Sequence, residues 1–399
     1  MDLFFAPCAY VVLGRIAAAN QATVSSMPRV PQYISISTSL FPHFSLNDFG
    51  LPMPIAQAIP KKYSFELKRF WDRLTYCLEY RIVEPIATKY IDSLIKSGLE
   101  QHLPSNFSLS MHNRDATFIY SLYPPSLDVP RALIRNALEF GDVNCQQAYA
   151  YGKHQQLPSD LERFITDPES KGTIIAAFGH MVNWEDAPNT KIDAFHEAFK
   201  HLGHYRIIWQ YSGRTLPSLH NVRTSKWIPQ AQLLAHNTAK VFISHMGLKS
   251  TVEAICNGIP VLAFPMFAEQ QFNTLMLAVR NGGGVVVDKL QFTTTDLTSN
   301  LLKILNDTEH RYKKPVDRLA TYMGDKIRPD LDIGVFWIEF ALKHHAHMHL
   351  LRDRSKSLNI VKYAMIDVLL FISLMSISLV VVLYKSIKIV FFMCAEKNA

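Results

Sequence analysis

From Thr173 to Asn306 short apolar runs alternate with helix-length segments, and this rhythm constrains the fold more than any other feature of the chain. Thr173–Gly179, Tyr205–Tyr211, Lys240–His245, Val261–Pro265 and Val285–Asp288 read as strands. Ile192–Leu202, Gln230–His236, Leu248–Asn257, Gln270–Asn281 and Leu297–Asn306 read as the helices between them. Strands joined by helices predict a doubly wound parallel sheet, on which ligands sit beyond the carboxyl ends of the strands, where His245 and Pro265 fall.

Within this region Trp227 to Asn273 carries the chemistry. The strand Lys240–His245 ends at a tight turn around Gly247, and the helix that follows is closed by Gly258. The first backbone N–H groups of such a helix have no internal partner and sit at the positive end of its dipole, so an anion is the natural guest. Gly247 permits close backbone approach, and Ser250 adds a hydroxyl in the first turn. Glu253 follows Ser250 by three residues on the same face, where its carboxylate can accept hydrogen bonds from two ribose hydroxyls. Trp227 offers a flat face for a base. Each has a plainer reading when taken alone: a core aromatic for Trp227, a strand-end imidazole for His245, a solvated helix charge for Glu253. Their joint spacing is what argues for a site.

Trp227, Pro229-Gln230, Leu233-Leu234, His236, Phe242-Ile243, His245, Gly247, Ser250, Glu253, Gly258, Pro260, Pro265 and Gln270 together resemble the signature of UDP-glycosyltransferases, especially the membrane-bound UDP-glucuronosyltransferases. The resemblance implies that Trp227 stacks on uracil and Gln230 helps hold the nucleoside. It further implies that Glu253 grips the ribose, that His245, Gly247 and Ser250 hold the diphosphate, and that Glu269 and Gln270 bind hydroxyls of the transferred sugar. Two positions depart from the family pattern: Met246 replaces a second glycine and Glu269 replaces an aspartate. His180 also stands where the family has a small hydroxyl residue, which reads as obstruction or packing near the diphosphate.

The net charge of +7 is local. Between His310 and Lys362 eleven Lys or Arg face six Asp or Glu, beside a C-terminal apolar segment, so the basic excess suits a membrane surface and no nucleic-acid module is recognisable. The five cysteines form no metal knuckle and suggest no disulfide framework, which leaves Cys256 as a small packing residue. Four histidines occur in the amphipathic stretch Trp337–Leu350, but no acidic residue completes a zinc pattern. By the resemblance this stretch is the helix that returns to brace both domains. Neither a metal nor a cofactor is expected, the UDP-sugar being a co-substrate.

The N-terminal part reads less clearly. Met1–Ala19 is apolar, but Asp2, Pro7 and Arg15 argue against a signal peptide. Instead the segments around Phe4 and from Pro31 to Pro54 resemble the middle of the family's acceptor-binding domain. On that alignment the catalytic histidine lies upstream of the chain, its orienting carboxylate falls near Ala6-Pro7, and His43 is structural. No catalytic residue is identifiable. Tyr63–Ile95 carries Leu67, Phe70, Leu74, Cys77, Leu78 and Ile82 at helical spacing, broken at Pro85, which predicts two helices with one buried face. A strand is expected over Asp115–Leu122, and Gly141–Asp160 reads as a linker. Asn106 and Asn306 open glycosylation sequons.

Ala364–Tyr384 is 21 residues with a single charge, followed by Lys385 and Lys388, and is long enough to span a bilayer. The expected organisation is a partial acceptor-binding domain (1–150), a UDP-sugar-binding domain (151–330), a bracing helix and juxtamembrane segment (331–362), a transmembrane helix (363–384) and a cytosolic tail (385–399). The fold implied is α/β, with two facing Rossmann-like domains of GT-B type, the first incomplete. The function implied is inverting transfer of a hexosyl or glucuronosyl group from a UDP-sugar to small lipophilic acceptors at the endoplasmic reticulum membrane, with the bulk of the chain luminal, and with homo- and hetero-oligomers both open. The competing reading is a UDP-sugar-binding membrane protein or fragment without catalysis. A nicotinamide oxidoreductase is disfavoured, since Gly282-Gly283-Gly284 makes no dinucleotide fingerprint.

Overall fold

The computed structural model describes residues 34–37, 66, 68–99, 116–128, 137–141, 145, 156–267, 269–351, 360–363 and 365–396. They fall in two units, 1–351 and 352–399. Phe4, Ala6-Pro7, His43 and Asn106 lie outside the described residues.

The strands in chain order are β1 (Ile34–Ser37), β2 (Phe118–Ser121), β3 (Ala137–Glu139), β4 (Thr173–Ala177), β5 (Arg206–Gln210), β6 (Val222–Ser225), β7 (Ala239–Ser244), β8 (Val261–Ala263) and β9 (Gly284–Val286). The helices are α1 (Phe70–Leu78), α2 (Glu84–Leu99), α3 (Ser159–Ile165), α4 (Asn189–His201), α5 (Gln230–Ala235), α6 (Leu248–Cys256), α7 (Gln270–Thr274), α8 (Thr294–Leu305), α9 (Lys313–Gly324), α10 (Asp330–Lys343), α11 (Ile360–Tyr363) and α12 (Ile366–Glu396).

The large sheet is wholly parallel, in the order β6-β5-β4-β7-β8-β9. Its central strands are apolar on both faces, as expected when helices cover both. The period of two divides them between two cores. Ile174, Ala176, Ile207, Trp209, Val241, Ile243 and Leu262 face α4 and α8; Ile175, Ala177, Ile208, Phe242 and Ala263 face α5, α6 and α9. Rings dominate the first core. Phe195 of α4 lies 5.7 Å from Trp209, 5.5 Å from Trp184 and 5.5 Å from Phe264. β6 carries no apolar run because it is an edge strand with an exposed face, and for that reason the alternation missed it.

The small sheet, β1-β2-β3, is also parallel. It is covered by α10: Trp337 packs 5.4 Å from Phe118, and the Tyr120 hydroxyl donates to the Gly334 carbonyl at 3.1 Å. This covering helix begins at Asp330 and stops at Lys343, earlier than the stretch Trp337–Leu350 suggested. His345–Leu351 is a 3-10 turn, in which residues four apart do not share a face.

Two further expectations are corrected. Phe70–Leu99 is one continuous helical run, because a wide π turn at Glu79–Val83 immediately before Pro85 accommodates the missing N–H. Its apolar stripe is not buried: Phe70, Leu78 and Ile82 are exposed, and Tyr76 alone is buried among the described side chains of this run. The period was legible, but the burial it implied is absent at Phe70, Leu78 and Ile82. Second, Cys256 is bonded to Cys145, with Cα atoms 5.5 Å apart. A pairing across 111 residues leaves no trace in spacing.

In the second unit, α12 contains a 23-residue span, Ile366–Lys388, of mean hydropathy 2.7, long and apolar enough to cross a membrane. The helix continues through Lys385 and Lys388 to Glu396 rather than stopping at the lysines, because an α-helix has no reason to end where its environment changes from lipid to headgroup.

Two substitutions grade the forces described. Thr293 and Asp296 form a reciprocal capping box at the start of α8. Thr293→Ala removes it and is expected to cost about 1 kcal/mol. Phe195→Ala opens the aromatic core and is expected to cost about 3–5 kcal/mol. Urea unfolding followed by intrinsic fluorescence measures both; equal losses would contradict this ranking.

Candidate active site

In the large sheet the chain runs from β4 outward through β5 to β6, then returns to the other side of β4 to begin β7, β8 and β9. The connections leaving β4 and β7 therefore diverge, and a crevice opens at the carboxyl ends of these two strands. A cleft of about 740 Å3 occupies that position. Gly179 and His180 enter it after β4, Gln210 from the end of β5, Trp227 after β6, His245 and Gly247 after β7, and Glu269 and Gln270 after β8. All eight residues assigned to the donor from the sequence line this one hollow.

Trp227 is 77% exposed, so the core reading of this indole does not hold. Its loop is pinned by Ser225, whose hydroxyl donates to the Trp227 carbonyl at 2.8 Å. In the same cleft, Glu253 is 7% exposed. The Gln230 side-chain amide bridges the two groups of α6 that point into the cleft, donating to Glu253 Oε2 at 2.5 Å and to Ser250 Oγ at 3.1 Å. Burial raises the Glu253 pKa above the usual carboxylate value, opposed by the Gln230 hydrogen bond and by the Lys249 charge. A largely desolvated carboxylate with an amide as partner is well suited to accept neutral hydroxyls.

The turn from β7 into α6 is tightly built. Gly247 precedes the helix without any side-chain cap, which leaves the first N–H groups open to the cleft. The His245 imidazole is wedged between two glycines: a Cβ at Gly179 would lie 2.9 Å from it, and one at Gly247 only 2.6 Å. Burial depresses the His245 pKa to about 4, the Ala177 backbone partly offsets this, and His180 adds to the depression. The ring is thus neutral near pH 7, and its Nδ1 is buried without a hydrogen-bond partner. Met246, where a glycine was expected, has φ +68°. This left-handed conformation costs a non-glycine residue about 1–2 kcal/mol. Complete burial of its side chain among Phe242, Leu248 and Val252 offsets that strain.

After β8, the Gln270 carbonyl oxygen is already committed, accepting the N–H groups of Met266 at 2.8 Å and Phe267 at 3.1 Å. Only its amide nitrogen remains for a ligand, and it is Glu269 that supplies acceptors. His180 is exposed and lines the cleft. Lys249 was missed in the sequence: it is exposed in the first turn of α6 and lines the cleft, giving the anion end a fixed positive charge. Its place two residues after Gly247 was the available signal. Asn306 is exposed at the C-cap of α8.

The UDP-glucoronosyl and UDP-glucosyl transferase family model matches residues 68–399. A UDP-glucuronosyltransferase of Pleuronectes platessa is 36% identical over 270 residues, 67% of this chain and 54% of the relative. UDP-glucuronosyltransferase 1A7 of Rattus norvegicus is 31% identical over 263 residues, 65% of this chain and 47% of the relative. The chain thus spans about half the length of these relatives. Among solved structures, Os79 from O. sativa in complex with UDP aligns with a TM-score of 0.51 at 17% identity, covering 82% of this chain and 74% of that one. That likeness establishes the α/β fold of GT-B type. With a family match across most of its length, and with the signature residues gathered on one cleft at the switch point of its sheet, the chain belongs to the UDP-glucoronosyl and UDP-glucosyl transferase family.

Proposed function

We propose that the cleft binds a UDP-sugar and that the chain serves transfer of its glycosyl group, with inversion, to a small lipophilic acceptor. One observation carries the reading. An exposed indole, a buried carboxylate and an uncapped helix N-terminus line a single cleft, the three kinds of group that a base, a ribose and a diphosphate require. In this assignment uracil stacks on Trp227, and the ribose hydroxyls take the place of the Gln230 amide on Glu253. The diphosphate lies against Gly247, Ser250 and the open N–H groups of α6, and Glu269 with the amide nitrogen of Gln270 meets the sugar.

Transfer places growing negative charge on the departing UDP. Fixed donors aimed at that charge lower the barrier, and the helix N–H groups, the Ser250 hydroxyl and Lys249 supply the neutralisation that a metal ion provides elsewhere. His245 contributes as a neutral N–H donor rather than as a cation, given its depressed pKa. The α12 span supports a membrane-anchored protein. By family analogy its bulk is luminal in the endoplasmic reticulum, where Asn306 is accessible to glycosylation.

Calorimetric titration with UDP tests the donor site. Trp227→Ala is expected to weaken binding about tenfold to hundredfold, from loss of stacking. Glu253→Ala is expected to weaken it about a hundredfold, from loss of two hydroxyl contacts to a charged acceptor. Unchanged affinity in both variants contradicts the reading. UDP bound tightly but never released from UDP-sugars with lipophilic acceptors would make the chain a donor-binding protein and not a transferase.

His245 also predicts a pH effect on stability. Its folded pKa, about 4, lies below its ordinary 6.5, so between these values the unfolded chain holds a proton that the folded chain does not. Stability from this group is present above about pH 6.5 and is lost as pH falls towards 4, by up to about 3 kcal/mol. Glu253, whose pKa is raised, acts in the opposite direction, stabilising at low pH and losing that contribution as pH rises. Unfolding curves of the unsubstituted chain and of His245→Asn isolate the histidine. The variant should lose less stability between pH 6.5 and 4, and parallel profiles would refute the assignment.

A further inference from the structure

The phosphate-facing turn is held in its conformation from below. Met246 has φ +68°, a region that long side chains leave unless something fixes them there. Both ends of the residue are fixed: its N–H donates to Ser244 Oγ at 3.0 Å, and its carbonyl accepts from Asn273 Nδ2 at 2.8 Å. Asn273 is fully buried, and its Oδ1 has no hydrogen-bond partner. A buried amide oxygen without a donor is unfavourable, so this side chain is retained at a cost, and its described contact is with Met246.

The peptide plane gives that contact its meaning. The Met246 carbonyl and the Gly247 N–H belong to one planar trans unit and point in opposite directions. Drawing the carbonyl inward to Asn273 therefore turns the Gly247 N–H away from the core, on the side where Gly247 lines the cleft. Asn273 is also tied to the sugar end, since its own N–H donates to the Glu269 carbonyl at 2.9 Å. We infer that Asn273 is a positioning residue that aims the Gly247 N–H at the diphosphate of the donor and joins the phosphate turn to the helix that carries Glu269 and Gln270. This rests on the donor-site reading above. Met246 makes the support necessary, because a residue without a Cβ at that position would hold the left-handed turn unaided.

The test is a double-mutant cycle on the full chain in detergent, with UDP affinity read by calorimetry and folding read separately by thermal unfolding. Asn273→Ala is expected to weaken UDP binding about tenfold in the natural background and at most about twofold when combined with Met246→Gly. Should Asn273→Ala fail to fold, Asn273→Ser is read in the same way; should Met246→Gly fail, Met246→Asn replaces it, since asparagine also tolerates the left-handed region. An equal loss of affinity in both backgrounds overturns the inference, and so does a lowered Tm with unchanged UDP affinity. Failure of the unsubstituted chain to bind UDP overturns the donor-site reading itself, a distinct result.

Discussion

The pairing of β4 with β7 governs the rest of the molecule, because it is the one place in the large sheet where the chain doubles back across its own starting strand. Strands built outward from β4 carry their crossover helices to one side, and those built outward from β7 carry theirs to the other. The gap between the two sets cannot be closed by either. Ile174, Ile175, Phe242 and Ile243 lock the pair from both faces, so the crevice above it has a rigid floor. The residues that follow these strands line one cleft because the strands end at the same level.

That floor supports a site that is locally unfavourable. Met246 occupies a left-handed conformation, His245 is buried with an unpartnered ring nitrogen, and Glu253 and Gln270 place polar groups beneath the surface. Each carries a local cost. They persist because the surrounding structure over-determines them, chiefly through the aromatic cluster on one face of the sheet and the aliphatic core on the other. The strain is concentrated in a few residues in and beside the cleft.

Much of this was legible in the sequence, and the reasons are physical. Buried parallel strands leave continuous apolar runs, so β4, β5, β7 and β8 stood out. Turn chemistry at Gly247 and the spacing of Ser250 and Glu253 picked out residues that the fold gathers on one cleft. What could not be read depends on distant partners. β6 is a polar edge strand, recognisable only by what it pairs with. The Cys145–Cys256 bond joins residues 111 apart. The stripe through Phe70 and Ile82 carried the helical period correctly, but period alone says nothing about whether another element covers it. The Asn273–Met246 contact joins a residue that stood out in sequence only as a missing glycine to one that did not stand out at all, and their pairing depends on the fold.

The central claim is that a uridine diphosphate lies against the turn between β7 and α6. Hydrogen–deuterium exchange on the full chain, with and without UDP, addresses it most directly. The account requires slowed exchange in peptides spanning 245–253 and 227–232, with residues 294–305 on the far side of the sheet unaffected. Unchanged exchange across 245–253, or protection confined to another region such as 84–99, would contradict it.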